Sequence, residues 1–146
     1  MQEVVFMPKT ARSIVVNAPI DKCYEIIKDV RSQPEFLDEL KSVRILEEKP
    51  DKVRVEFTVK VIKEISYTLD LWGEDGKYWK WKLVKGFFKK NDGQWVLKDL
   101  GNGTTEVTYE IDIEFGLLVP GSVVKMLQDV NLPKMLNVYK KRIESK

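Results

Sequence analysis

Histidine is absent from the chain, and Cys23 is the single cysteine among 146 residues. These two facts remove most nucleophilic and metal chemistry. A Ser-His-Asp triad, a Cys-His dyad, a His-bearing metal centre, a thiolate zinc site and a CxxC redox pair all lack their residues. No glycine-rich phosphate loop of either common kind is present, and no cofactor is expected. What remains are bulky aromatics at alternate positions: Tyr67, Trp79, Trp81, Trp95 and Tyr109. Such side chains suit the enclosure of an apolar molecule, and a tyrosine hydroxyl can donate to a carbonyl or quinone oxygen. They serve equally well as ordinary core. With a reference pKa near 10, tyrosine is a better donor than a general base at neutral pH. The strands between 53 and 115 show no evident inward Arg, Glu or Asp.

The elements that position these aromatics follow from hydrophobic period. Arg12 to Asn17 reads as a short strand. Ala18-Pro19-Ile20-Asp21 starts a helix over 20–30, with Tyr24, Ile27 and Val30 at helical spacing. Ser32-Gln33-Pro34 breaks it, and Glu35 to Leu40 reads as a second short helix. The period then changes to two. Val53, Val55, Phe57, Val59 and Val61 share one face, and Arg54, Glu56, Thr58 and Lys60 the other. Ile65, Tyr67, Leu69 and Leu71 repeat the pattern, as do Trp79, Trp81 and Leu83. Turns are expected at Lys49-Pro50-Asp51, Asp75-Gly76, Asn91-Asp92-Gly93 and Asn102-Gly103, and a bulge or bend at Gly86. Val107, Tyr109, Ile111, Ile113 and Phe115 make the last strand. A helix over 122–144, capped by Ser122, follows, with Val124, Leu127, Asn131, Met135 and Val138 on one face and a kink at Pro133.

Composition bounds the rest. Charged residues make up 33% of the chain and hydrophobic residues 43%, a globular balance. Twenty-five basic residues face 23 acidic ones, so a formal charge of +2 offers no grip on a long phosphate backbone. Nucleic-acid binding is not expected. Lys80, Lys82, Lys89 and Lys90 form a basic cluster that the acids from Glu106 to Glu114 are expected to meet across the sheet. One cysteine excludes an internal disulfide. The sequence shows no signal-peptide pattern and no membrane span, so a cytoplasmic location is expected. The length fits one domain over 1–146.

One long helix cannot cover a wide sheet flatly, so the sheet must curl and leave a wedge of volume. The expected fold is α+β: a curved antiparallel sheet of about seven strands, two short helices near the N-terminus and a long C-terminal helix over an apolar cavity. Candidate cavity-lining residues on the strands are Phe57, Tyr67, Leu69, Trp79, Trp81 and Trp95, with Tyr109 and Ile111. Those on the helix are Leu127, Asn131 and Met135.

The order of segments resembles a known superfamily. Its carriers are Ser13-Ile14-Val15-Val16-Asn17-Ala18-Pro19, Tyr24-Glu25-Ile26-Ile27-Lys28-Asp29-Val30, Gln33-Pro34-Glu35-Phe36-Leu37, Val43-Arg44-Ile45-Leu46-Glu47, Gly93-Gln94-Trp95-Val96-Leu97 and Gly103-Thr104-Thr105-Glu106-Val107-Thr108-Tyr109. Over about residues 10–144 the chain is similar to the START-like helix-grip superfamily (SRPBCC), in particular its polyketide cyclase/dehydrase and coenzyme-Q-binding COQ10-type branch. That resemblance implies binding or transport of a hydrophobic small molecule such as a lipid, quinone or polyketide. Two alternatives remain. One is a cyclase- or dehydrase-like enzyme, which the lack of histidine disfavours. The other is a module acting through a protein partner, as in one ribosome-linked bacterial group.

Overall fold

A computed structural model describes residues 5–60, 63–116 and 119–146. Seven strands form one antiparallel sheet: β1 (Val5–Val16), β2 (Leu40–Lys49), β3 (Lys52–Lys60), β4 (Glu64–Glu74), β5 (Tyr78–Gly86), β6 (Lys90–Gly101) and β7 (Thr104–Phe115). Their order across the sheet is β1-β7-β6-β5-β4-β3-β2. Short hairpins join β2 through β7, which is why these strands are sequential neighbours. Helix α1 (Ile20–Lys28) and a 3-10 turn (Val30–Glu35) connect β1 to β2, and α2 (Gly121–Met126) and α3 (Leu132–Glu144) follow β7. The expected helix-grip architecture is present.

Curvature has local causes. Register shifts occur in β1 between Met7 and Thr10, twice in β2, in β5 opposite Thr68/Leu69 of β4 and in β6 at Asp99/Gly101. Each adds a residue to one strand and bends it. Gly86 ends β5 at φ 128°, a conformation that strains other residues, and a Cβ there would sit 2.5 Å from Tyr67 Cα. The Asn102-Gly103 turn has both residues at positive φ, as a tight hairpin requires.

Three expectations need correction. First, Asn91-Asp92-Gly93 is not a turn. All three lie in β6, opposite Ile113, Asp112 and Ile111 of β7. The strand extends because β7 supplies a full ladder, and tertiary pairing overrides turn propensity. Second, the second short helix is the 3-10 turn 30–35, which contains Pro34, while Leu40 opens β2. Third, Ser122 caps nothing: α2 starts at Gly121 after Pro120, with no side-chain cap. The break expected near Pro133 is present in the C-terminal helix. Leu127–Asn131 is a π turn, and Leu132 N–H donates to Leu127 O, five residues back. Pro133 has no N–H and crowds the preceding turn, which the wider coil relieves. Val61 lies outside the described residues.

The π turn has a consequence for packing. One extra residue rotates the following helix face by about 100°. The fully buried face of α3 is therefore Leu132, Leu136, Tyr139 and Ile143, with Asn131, Met135 and Val138 of the expected stripe half-buried beside it. Lys140, expected to point away, is half-buried and donates to Val15 O and to the Glu144 carboxylate at 2.6 and 2.7 Å.

Packing is uneven along the molecule. Val16, Cys23, Ile27, Val107 and Ile143 are essentially inaccessible. Thr105 Oγ1 donates to Ala18 O at 2.8 Å, tying the entry of α1 to β7. Asn17 N–H donates to Glu144 at 2.7 Å, tying β1 to the end of α3. The C-terminal half of α3 is thus clamped, while α2 and the π turn span the far end of the sheet. Hydrogen exchange should show it: amides from 127 to 132 exchange faster than those from 136 to 143. Uniform slow exchange across both segments would contradict this division.

Candidate functional site

Between the unclamped helical segment and the concave sheet lies a cavity of about 520 Å³. A volume in the range of small-molecule pockets, lined mainly by apolar side chains, has the character of a ligand site. All eleven cavity-lining candidates read from the sequence border it: Phe57, Tyr67, Leu69, Trp79, Trp81, Trp95, Tyr109 and Ile111 from the strands, and Leu127, Asn131 and Met135 from the helical side. Asn131 and Met135 are half-buried at its edge, because the rotated α3 face places Leu132 and Tyr139 deeper.

The aromatics form two groups. In one, Trp81 stacks on Tyr109 (ring centroids 5.4 Å apart, planes 30° apart), Trp95 meets Tyr109 at 4.7 Å, and Tyr139 meets Trp95 at 4.8 Å. In the other, Tyr67 stacks on Phe57 at 5.6 Å and meets Phe88 edge-on at 5.0 Å, while Phe88 reaches Phe115 at 5.5 Å. Trp79 leans toward α1 and meets Tyr24 edge-on at 6.4 Å; its Nε1 is buried with no hydrogen-bond partner.

Trp81 is set by its neighbours. It is paired across the ladder with Gly93, and its ring lies against the Gly93 backbone. A Cβ at 93 would come within 2.4 Å of Trp81 Cζ2, so only glycine fits. Trp81 Nε1 donates to Asn91 Oδ1 at 3.1 Å, a buried bond that fixes the ring. Asn91, Phe87, Phe88, Tyr139 and Gln33 also line the cavity and were not among the candidates. Asn91 was hidden inside an apparent turn signature. Tyr139 was hidden by the phase of the helix before the π turn. Phe87-Phe88 lies in a connection, where periodicity gives no facing.

The electrostatics are one-sided. Glu39 and Lys63 are the charged residues on the cavity wall among those described. Both are exposed, and Lys63 lies over the Phe87 ring at 5.6 Å. Burial pushes the Tyr67 phenol up to about 12 and pushes Tyr109 and Tyr139 up as well, with Gln33 partly offsetting the rise at Tyr139. The Tyr67 and Tyr109 hydroxyls have no hydrogen-bonding protein partner among the described residues. All three are therefore neutral at physiological pH, with Tyr67 and Tyr109 free to donate inward. Burial also raises the Cys23 thiol, away from thiolate chemistry. No group of three or more His, Cys, Asp or Glu residues that could hold a metal ion occurs among the described residues. No helix among them is long and apolar enough to cross a membrane.

A curled sheet closed by one helix over an apolar chamber defines a cavity-bearing helix-grip protein. The sequence agrees: residues 16–138 match the family model described as polyketide cyclase/dehydrase and lipid transport, and the chain belongs to that family. Among characterised relatives, it is 28% identical over 116 residues to the ribosome association toxin RatA of Escherichia coli, covering 79% of this chain and 73% of the relative. It is 26% identical over 110 residues to a putative polyketide cyclase of Streptomyces halstedii, covering 64% of this chain and 91% of the relative. In structure it is similar to a protein of Thermus thermophilus (TM-score 0.84, 19% identity, covering 94% of this chain and 98% of the other). It is also similar to the Zhui aromatase/cyclase of a Streptomyces (TM-score 0.83, 19% identity, covering 97% and 94%). These structural likenesses establish the shared helix-grip fold.

The raised tyrosines make stability depend on alkaline pH. A phenol whose folded pKa lies above its unfolded value near 10 binds its proton more tightly when folded. That stability is complete below pH 10 and is lost as pH rises through about 12, the value for Tyr67. Denaturant melts at pH 8, 10 and 11.5 should show a falling midpoint above pH 10. Tyr67→Phe should flatten part of that fall.

Proposed function

We propose that the protein binds and carries a hydrophobic small molecule in its inner cavity, in the cytoplasm, without turning it over. The candidate classes are a lipid, an aromatic polyketide-like compound or, along the coenzyme-Q-binding branch, a quinone. The observation that carries this reading is the apolar cavity of about 520 Å³ with two inward tyrosine hydroxyls that lack protein acceptors. Burying apolar ligand area contributes roughly 25 cal/mol per Å², and each hydroxyl can orient one ligand oxygen. The tyrosines, pushed up by burial, are poorly suited to remove protons.

Native mass spectrometry of gently purified protein, followed by extraction, should release an apolar compound. Tyr67→Phe and Tyr109→Phe each keep the packing and remove one donor. Each should weaken binding by about 0.5–1.5 kcal/mol, the net scale of one hydrogen bond. Product formation by the wild type, abolished by either change while binding persists, would instead establish a cyclase-like activity.

A second reading, action through a macromolecular partner, is favoured by the likeness to the ribosome association toxin. Co-sedimentation with ribosomes at physiological salt, unchanged in the Tyr67→Phe variant, would support that reading over the carrier.

A further inference from the structure

Asn91, Gly93, Trp95 and Leu97 share the inner face of β6, opposite Ile113, Ile111, Tyr109 and Val107 of β7. Asn91 is the amide in that run, and it is 5% exposed. Charges nearby turn outward. The expected meeting of the basic cluster with the acids of β7 occurs at Lys90, 2.8 Å from Asp112, and Lys80 lies over the Tyr78 ring at 4.7 Å. A buried amide without counterparts costs free energy, so its hydrogen bonds have to be accounted for.

The sheet makes room for this side chain. β5 and β6 pair over only four residues each, from Tyr78↔Val96 to Trp81↔Gly93. Beyond Trp81, β5 follows β4 as far as Gly86, and β6 is paired with β7 from Lys90 onward. The two strands thus diverge into a wedge. Across it, Leu83 N–H donates to the Asp92 carboxylate at 3.3 Å in place of a ladder bond. Asn91 lies in the wedge, two residues past the last β5 pairing. The Trp81 indole crosses Gly93, and its Nε1–H donates to Asn91 Oδ1 at 3.1 Å. An indole nitrogen only donates, so the amide oxygen is the atom that faces Trp81 and the NH2 is turned away from it.

That NH2 has no protein acceptor among the described residues. It is not sealed off either. Among those residues, the side-chain nitrogens both occluded and unpartnered belong to Arg12 and Trp79. Asn91 borders the inner cavity, as does Ile113 opposite it, so the two spare N–H donors open on the cavity. Their place is central. Tyr109 of one aromatic group and Phe115 of the other lie either side of Ile113 along β7. The phenols converge on the same region, since Tyr67 adds to the upward push on Tyr109 and Tyr139. A hydroxyl donates or accepts, whereas the amide NH2 only donates. Water meets it when the cavity is wet, and an apolar ligand that expels the water must bring an acceptor in its place. The charged wall residues Glu39 and Lys63 stay exposed at the rim, so that acceptor is uncharged.

We propose that Asn91 is the polar anchor of the inner cavity, its inward NH2 donating to a carbonyl oxygen in the middle of a neutral ligand. This rests on the carrier reading and narrows it to ketone- or quinone-type molecules, selected over hydrocarbons of the same shape. The oxygen sits at mid-body, in contrast to a lipid whose polar head stays at the rim.

The probes are fluorenone and fluorene, which share a fused-ring body and differ by a carbonyl in place of a methylene. The ratio of their affinities is the readout, because altered packing in a variant acts on both. The wild type should bind fluorenone at least as tightly as fluorene, although a carbonyl favours water. Asn91→Leu, with folding verified by circular dichroism, should shift the ratio toward fluorene by about three- to tenfold, the scale of one hydrogen bond. Trp81→Phe breaks the same Trp81–Asn91 bond but leaves the amide donors, and should keep the ratio. The carbonyl stretch of bound fluorenone should lie at lower wavenumber in the wild type than in Asn91→Leu. A wild type that prefers fluorene, or a ratio unchanged in Asn91→Leu, overturns the proposal. So does an equal shift in Trp81→Phe, which makes Asn91 a support for Trp81 alone. In each of these cases fluorene still binds and the carrier reading stands. If neither probe binds the wild type, the anchor falls, and the carrier reading is decided by the compound extracted from the purified protein.

Discussion

One helical face has to serve a seven-stranded concave sheet, and the rest of the structure follows from that mismatch. Side chains on a single helix cannot reach the whole inner surface, so close packing at one end leaves volume at the other. Here the close-packed end lies where α1 and the end of α3 meet β1, β6 and β7. Ile27 and Ile143 are fully buried there. Buried isoleucines of this kind contribute about 2–5 kcal/mol each against truncation to alanine. The contacts of Glu144 and Lys140 with the end of β1 and the residue after it add direction more than energy, since such partly exposed ion pairs contribute little.

The hollow end is held open by rigid parts. Aromatic rings lean on one another, and the strand-borne ones are anchored by their ladder neighbours. Trp81 shows the coupling most plainly. Gly93 makes room for its ring, Asn91 holds its N–H, and Tyr109 receives its face. A glycine inside a strand ordinarily weakens it. In β6 the same absence of a side chain lets a larger one from β5 cross the strand.

Charge follows the same division. The convex face carries ladders such as Arg54 with Asp70, joined by two hydrogen bonds at 2.8 and 3.1 Å, which hold the Asp70 carboxyl below its usual range. The cavity interior carries hydroxyls, amides and indoles. An apolar ligand therefore loses water without stranding a buried charge, while ionised groups stay where water screens them.

Strand alternation made most of the cavity wall legible in the amino-acid sequence. A period of two sends every second residue inward whatever the tertiary contacts, so Phe57, Tyr67, Trp81, Trp95 and Tyr109 could be assigned to one face. The mismatch of one helix to many strands then implied a hollow. Tertiary structure alone decided three things. Pairing with β7 drew Asn91-Asp92-Gly93 into a strand, because a full ladder outweighs local turn preference. The π turn before Pro133 shifted the helix by one residue and brought Leu132 and Tyr139 inward beside the half-buried Asn131 and Met135, and a helical phase cannot be carried past such a break from sequence. The divergence of β5 from β6 depends on which neighbour each strand follows, a long-range choice that local residue patterns do not encode.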